Sequence, residues 1–293
     1  MKHLKSVALA MSLGFVAAPA SASAAAPPPI KEAVFFGDSL TDAGTYWFRF
    51  TTDPDLSWAQ HVALAYGQSP LPNQHIDSYA DVYKGNHALD GPNGLNYAEG
   101  GAKTNSAYSQ TSQDFEGKPI SAVVQVRHYL QQHGSFSSDQ LVTLYVGMND
   151  VAWSYDEGNS ADIAMTLRGN KAVSAKTMSN ETARVEQAAH DEAELARTIL
   201  AHGAKRLIVF ALPDMANLPW FHTKASQQFV HDLANIFNRR LEVDLPHDLA
   251  ILVLHTQQFS MTCSPTRGAM VSRTLLTRMP AVRRTRTFAI RTL

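Results

Sequence analysis

A serine, a glycine pair and an asparagine, each set just after a run of β-branched or aromatic residues, are the groups of this chain best placed to do chemistry. Ser39 follows Ala33-Val34-Phe35-Phe36 through Gly37-Asp38, Gly100-Gly101 follow Leu95–Ala98, and Gly147-Met148-Asn149-Asp150 follow Leu141–Val146. A serine hydroxyl attacks an acyl carbonyl when a rigid turn exposes it, a base takes its proton and donors face the developing oxyanion. Gly37 permits such a turn. Backbone N–H groups beside glycine and the Asn149 side-chain amide are the right donor types. The elbow pattern G-x-S-x-G is excluded, because Thr41 stands where its second glycine would be. Metal chemistry has no support: His128 and His133 are five apart, off a shared helix face, and neither H-x-x-x-H nor C-x-x-C occurs.

These residues need a scaffold that carries them to one edge. Five short segments read as buried strands: Ala33–Phe36, Leu95–Ala98, Leu141–Val146, Arg206–Leu212 and Leu249–Leu254. Helical periodicity is clearest over Thr182–His202 and Ala225–Leu245, and weaker over Ser57–Tyr66 and Ala122–Gln132. Strands alternating with helices predict a parallel sheet covered on both faces, with ligands bound beyond the carboxyl ends of its strands. Residues 66–94 and 151–181 are polar and turn-rich and read as long loops. Tyr46, Trp47, Phe48 and Phe50, just after the serine, suit either an apolar acyl pocket or ordinary packing, and Trp153 and Tyr155 carry the same two readings.

The ordered segments resemble one family. Phe36-Gly37-Asp38-Ser39-Leu40-Thr41-Asp42-Ala43-Gly44 looks like the first signature block of the GDSL (SGNH) hydrolases, and Asn96-Tyr97-Ala98-Glu99-Gly100-Gly101-Ala102 is similar to the second. Val146-Gly147-Met148-Asn149-Asp150 resembles the third, and Leu212–Pro219 a further segment. The resemblance implies a flavodoxin-like three-layer α/β/α fold with a five-stranded parallel sheet, and a serine esterase, lipase or acylhydrolase acting on carboxylic esters without metal or organic cofactor. It implies Ser39 as nucleophile, and the Ser39 N–H, the Gly101 N–H (Gly100 being the close alternative) and the Asn149 amide as oxyanion hole. Small-molecule, lipid or acylated-glycan esters are the implied substrates. A non-catalytic acyl- or glycan-binding protein is the rival reading.

The family's D-x-x-H-P block is not found. Asp244-Leu245-Pro246-His247 is the one formal D-x-x-H after Leu212, but it precedes the fifth strand and Asp248 stands in place of the proline. It reads as a helix-to-strand turn. His255 ends the fifth strand without the family context, so the catalytic Asp and His stay unassigned.

With 293 residues, 45% hydrophobic and 17% charged, the chain can bury a full core. Residues 1–26 have a basic start, a short apolar centre and a small-residue end, the pattern of a signal peptide, so a secreted or periplasmic protein with no stable transmembrane segment is expected. The hydrolase domain is expected over 27–259, incomplete at its C-terminus. Its single cysteine, Cys263, excludes a disulfide framework. Residues 260–293 hold seven arginines and no lysine or acid; without those seven, 18 of the 25 basic residues face 26 acidic ones, so residues 1–259 sum to −8. An acidic body excludes a nucleic-acid footprint. One codon choice for Ser260–Leu276 encodes, in a shifted frame, a continuation similar to the family's, so the tail is expected to be an out-of-frame product of a shift near Phe259. A longer parent, the passenger of an outer-membrane autotransporter, is left open.

Overall fold

The computed structural model describes residues 28–51, 55–76, 88–89, 91–105, 119–153 and 161–256. The signal-peptide reading of 1–26 and the tail 260–293 lie outside the described residues, as do Tyr155 and the Trp153 side chain. Four strands form a parallel sheet: β1 (Glu32–Gly37), β4 (Gln140–Tyr145), β5 (Leu207–Ala211) and β6 (Ile251–His255), in that spatial order. Six helices are described: α1 (Trp58–Ala65), α2 (Ala122–His133), α3 (Met148–Trp153), α4 (Ala161–Arg168), α5 (Ala175–Ala201) and α6 (Lys224–Asp244). A separate two-stranded antiparallel ribbon pairs β2 (His75–Ile76) with β3 (Ala88–Leu89).

Alternation along the strands divides the core into layers. Val34 and Phe36 of β1, with Val142 and Leu144 of β4 and Val209 of β5, pack with α2, α5 and α6 in the main cluster. Ala33, Phe35 and Leu141 point the other way, onto Ala59 and Ala63 of α1. The result is three layers, α/β/α, as expected for buried parallel strands. Leu252 shares the α1 face, opposite Ile208 of β5, and is 58% exposed.

The fifth expected strand, Leu95–Ala98, does run beside β1, but as a single parallel bridge at Asn96 rather than a ladder. Phe35 donates to Leu95 O (2.9 Å) and accepts from Tyr97 N (2.8 Å). On either side, side-chain amides take over the edge of β1. Gln68 bonds both N and O of Ala33 (2.8 and 2.7 Å), and Gln125 bonds both N and O of Gly37 (2.9 and 2.9 Å). The backbone groups are satisfied without a strand.

Two loop expectations need correction. Residues 151–181 hold the end of α3, all of α4 and the start of α5, which begins at Ala175 where Ser174 accepts the Thr177 N–H as an N-cap. In α4 the buried face is only Ile163, Ala164 and Leu167, and charged or exposed neighbours dilute its period. Residues 66–94 include the β2–β3 ribbon.

Candidate active site

Ser39 stands at the apex of the turn that leaves β1 at the carboxyl edge of the sheet. Asp38 N makes the last bond to β4, at Tyr145 O (3.3 Å); the chain then reverses, with Thr41 N and Asp42 N both donating to Asp38 O and Leu40 N to Asp38 Oδ1, each at 3.0 Å. Gly37 is required at the entry. A Cβ there would lie 2.3 Å from Tyr145 O.

Three loops are tied to one another at this edge. Glu99 N donates to Gly37 O (3.2 Å), and Asp42 joins the serine turn to the glycine pair, accepting Gly44 N and Thr45 N through Oδ1 (2.8 and 2.8 Å) and Gly100 N through Oδ2 (2.9 Å). Asn149, in the first turn of α3, donates from Nδ2 to Ala102 O (2.9 Å), while neighbouring Asp150 accepts the N–H and hydroxyl of Thr104. Ser39, Gly101 and Asn149 are thus brought to one place by direct bonds between their loops.

The distribution of bonded and unbonded N–H groups is informative. Asp38, Leu40, Gly100 and Ala102 all spend their N–H on the fold. Between them, the N–H groups of Ser39 and Gly101 have no partner among the described residues. Gly101 has a φ of +87°, a left-handed turn that glycine adopts without strain. Unspent donors flanked by spent ones are the arrangement an anion-stabilising pocket needs.

The electrostatics under the site are unusual. Burial pushes Asp38 up to about 7, aided by nearby Asp150 and Asp42, and burial pushes Asp42 to about 6 against its three backbone donors. Burial also raises Asp150, and Glu192 of α5 is raised well above the ordinary carboxylate range by burial and by Asp150 and Asp38. Among the described residues both Glu192 oxygens lack a partner, which fits a protonated group.

No described residue hydrogen-bonds the Ser39 hydroxyl. Asp244 and His247 precede β6, at the opposite edge of the sheet, and Asp244 is held by His190 and Arg240. His255 ends β6 with its Nδ1 3.5 Å from Glu242 of α6. An Asp–His pair that the sequence did not suggest joins Asp214, after β5, to His231 of α6 at 3.1 Å; its other ring nitrogen meets Asn235 at 2.9 Å, so neither nitrogen is open to a serine. No motif spacing could have shown it. Among the aromatics, Tyr46 is buried, whereas Trp47, Phe48 and Phe50 are exposed by 63%, 43% and 38%. Among the described residues no group of three His, Cys, Asp or Glu could hold a metal, and no described helix is long and apolar enough to cross a membrane.

A three-layer α/β fold that offers a turn serine at the carboxyl edge of its sheet, beside unspent backbone donors, has parts of the kind acyl transfer needs. The family model for GDSL-like lipases and acylhydrolases matches residues 34–243, a span that includes Ser39, Gly101 and Asn149, and the chain belongs to that family. Its fold is the SGNH hydrolase fold, and membership places it among the ester hydrolases. No curated protein matches the chain.

Proposed function

We propose that the chain is an exported serine ester hydrolase in which Ser39 Oγ attacks the acyl carbonyl. The carbonyl oxygen, as it gains charge, accepts from the Ser39 N–H, the Gly101 N–H and the Asn149 side-chain amide. With no described side chain placed to take it, the serine proton passes to solvent, the alcohol departs with a proton, and water releases the acid from the acyl-enzyme, a route slower than one with a histidine base. The observation that carries this reading is the pair of unspent N–H groups at Ser39 and Gly101 between neighbours that all bond to the fold. Export is supported by the basic, apolar and small-residue order of residues 1–26.

That no described residue bonds the Ser39 hydroxyl favours a second reading, a binding protein that keeps the cleft and turns over slowly or not at all. Without its histidine, a serine site retains only about 10³–10⁴ over water. A fluorophosphonate probe separates the two. Labelling of the wild-type chain that vanishes in Ser39→Ala supports the hydrolase; no labelling of a folded wild-type chain supports the binding protein. We also propose that the activating Asp and His were lost with the reading frame near Phe259. The nucleotide sequence across that codon tests it: an alternative frame that stops early without a D-x-x-H-P block overturns it.

A further inference from the structure

The aromatic residues after Ser39 form something more specific than a greasy rim. Trp47 has a φ of +68°, a left-handed conformation that a bulky L-residue adopts only when its surroundings enforce it. Three contacts do so: Trp47 N donates to Gly44 O (3.0 Å), its Nε1 donates to Ile76 O (3.1 Å), and its ring stacks on His75 at 3.8 Å and 11°. His75 is fixed in turn by a 3.1 Å bond between Nδ1 and Gly44 O. The indole is therefore rigid, yet 63% exposed. A large aromatic surface held out to solvent at a conformational cost is the mark of a recognition element.

Trp47 and His75 line a cavity of about 520 Å³ together with Phe48, Arg49, Thr51 and Asp55. Among the described residues Arg49 and Asp55 spend no hydrogen bond or ion pair, on each other or on anything else. Gly44, which also lines the cavity, is tied to the glycine pair beside the serine turn: Asp42 accepts the N–H groups of Gly44, Thr45 and Gly100. An acyl chain laid here would meet Ala43, Leu71 and Pro72, which also line the cavity, but would give neither the guanidinium nor the carboxylate a hydrogen bond. A sugar ring suits both features. Its C–H face is apolar and packs flat on an indole, while its rim of hydroxyls both donates to a carboxylate and accepts from a guanidinium.

We propose that this cavity is a glycosyl subsite, in which a pyranose ring stacks on Trp47 with hydroxyls on Arg49 and Asp55, so that the ester cleaved at Ser39 is an O-acyl group on an oligosaccharide. The substrate class rests on the hydrolase reading; the binding site does not. The test is isothermal titration of the full chain carrying Ser39→Ala with xylohexaose, cellohexaose and mannohexaose, and separately with decanoate. Binding of at least one hexaose is expected, weakened about tenfold by Trp47→Ala, the scale of one aromatic contact. Arg49→Ala, whose guanidinium has no partner to lose, is expected to weaken the same hexaose if Trp47→Ala fails to fold. Absence of hexaose binding at millimolar concentration, hexaose binding unchanged in both variants, or Trp47-dependent binding of decanoate alone would each overturn the subsite. Because Ser39→Ala has no nucleophile, such a result leaves fluorophosphonate labelling of the wild-type chain to judge the hydrolase independently.

Discussion

Asn149 carries two amide hydrogens and the fold uses one. Its bond to Ala102 O fixes which end of the amide is nitrogen and aims the side chain at the glycine loop, leaving the second hydrogen for a ligand oxygen. If that oxygen is the oxyanion, the interaction strengthens as charge develops and so belongs to the transition state. Asn149→Ala is therefore expected to lower kcat for a short-chain aryl ester by about 10²–10³ with little change in KM. A proportionate rise in KM with kcat intact would remove Asn149 from the oxyanion hole. The choice between Gly100 and Gly101 is of another kind. Both follow the same apolar segment, and the family resemblance points to Gly101 with Gly100 as the close alternative; the structure adds that the Asp42 carboxylate, 58 residues away, occupies the Gly100 N–H.

At the scale of elements, the sheet is held at its functional edge by amide side chains as well as by strands. Gln125 of α2 bonds both backbone groups of Gly37, and Asn238 of α6 does the same to Leu212 just after β5, at 2.7 and 3.0 Å. Gln125→Leu would leave the buried Gly37 N–H without a partner two residues before Ser39. A loss of about 1–3 kcal/mol in unfolding free energy is expected, read by denaturant titration, together with slower fluorophosphonate labelling. Unchanged labelling would show that Gln125 supports the strand but not the serine. This bracketing also explains what could be read in advance. Strands β1, β4, β5 and β6 were legible because each is a short apolar run bounded by turn residues, and α5 and α6 because their apolar faces repeat over many turns. The 95–98 segment was legible as extended chain but not as a mere bridge, since nothing local announces that Gln68 and Gln125 will complete the edge of β1. Helix α4 was illegible because three buried residues on two turns are too few to set a period. The locations of Ser39, Gly101 and Asn149 followed from the strand ends; the bonds that make their loops one unit, through Asp42, Glu99 and Ala102, lie between residues far apart in the chain.

Across the whole molecule, the carboxylates buried near the serine edge shape its response to pH. Asp38, Asp42, Asp150 and Glu192 are all raised, burial being the first cause in each case. In the unfolded chain these groups titrate near their ordinary values, about 4. A folded pKa above the unfolded one means that the native state holds more protons in between, so stability falls as pH rises through that window. The contribution is fully present below about pH 4 and is lost through the folded values, about 6 for Asp42 and about 7 for Asp38. For Asp38 alone the loss is on the order of 4 kcal/mol. The thermal midpoint of the folded chain is therefore expected to fall by about 10 °C between about pH 5 and about pH 8. Asp38→Asn keeps an acceptor for Leu40 N and removes the titration, so its midpoint should fall less over the same range. Differential scanning calorimetry of the two proteins at matched ionic strength measures both slopes. A wild-type midpoint that is flat or rising through neutrality would show that these carboxylates do not enter the folded state protonated.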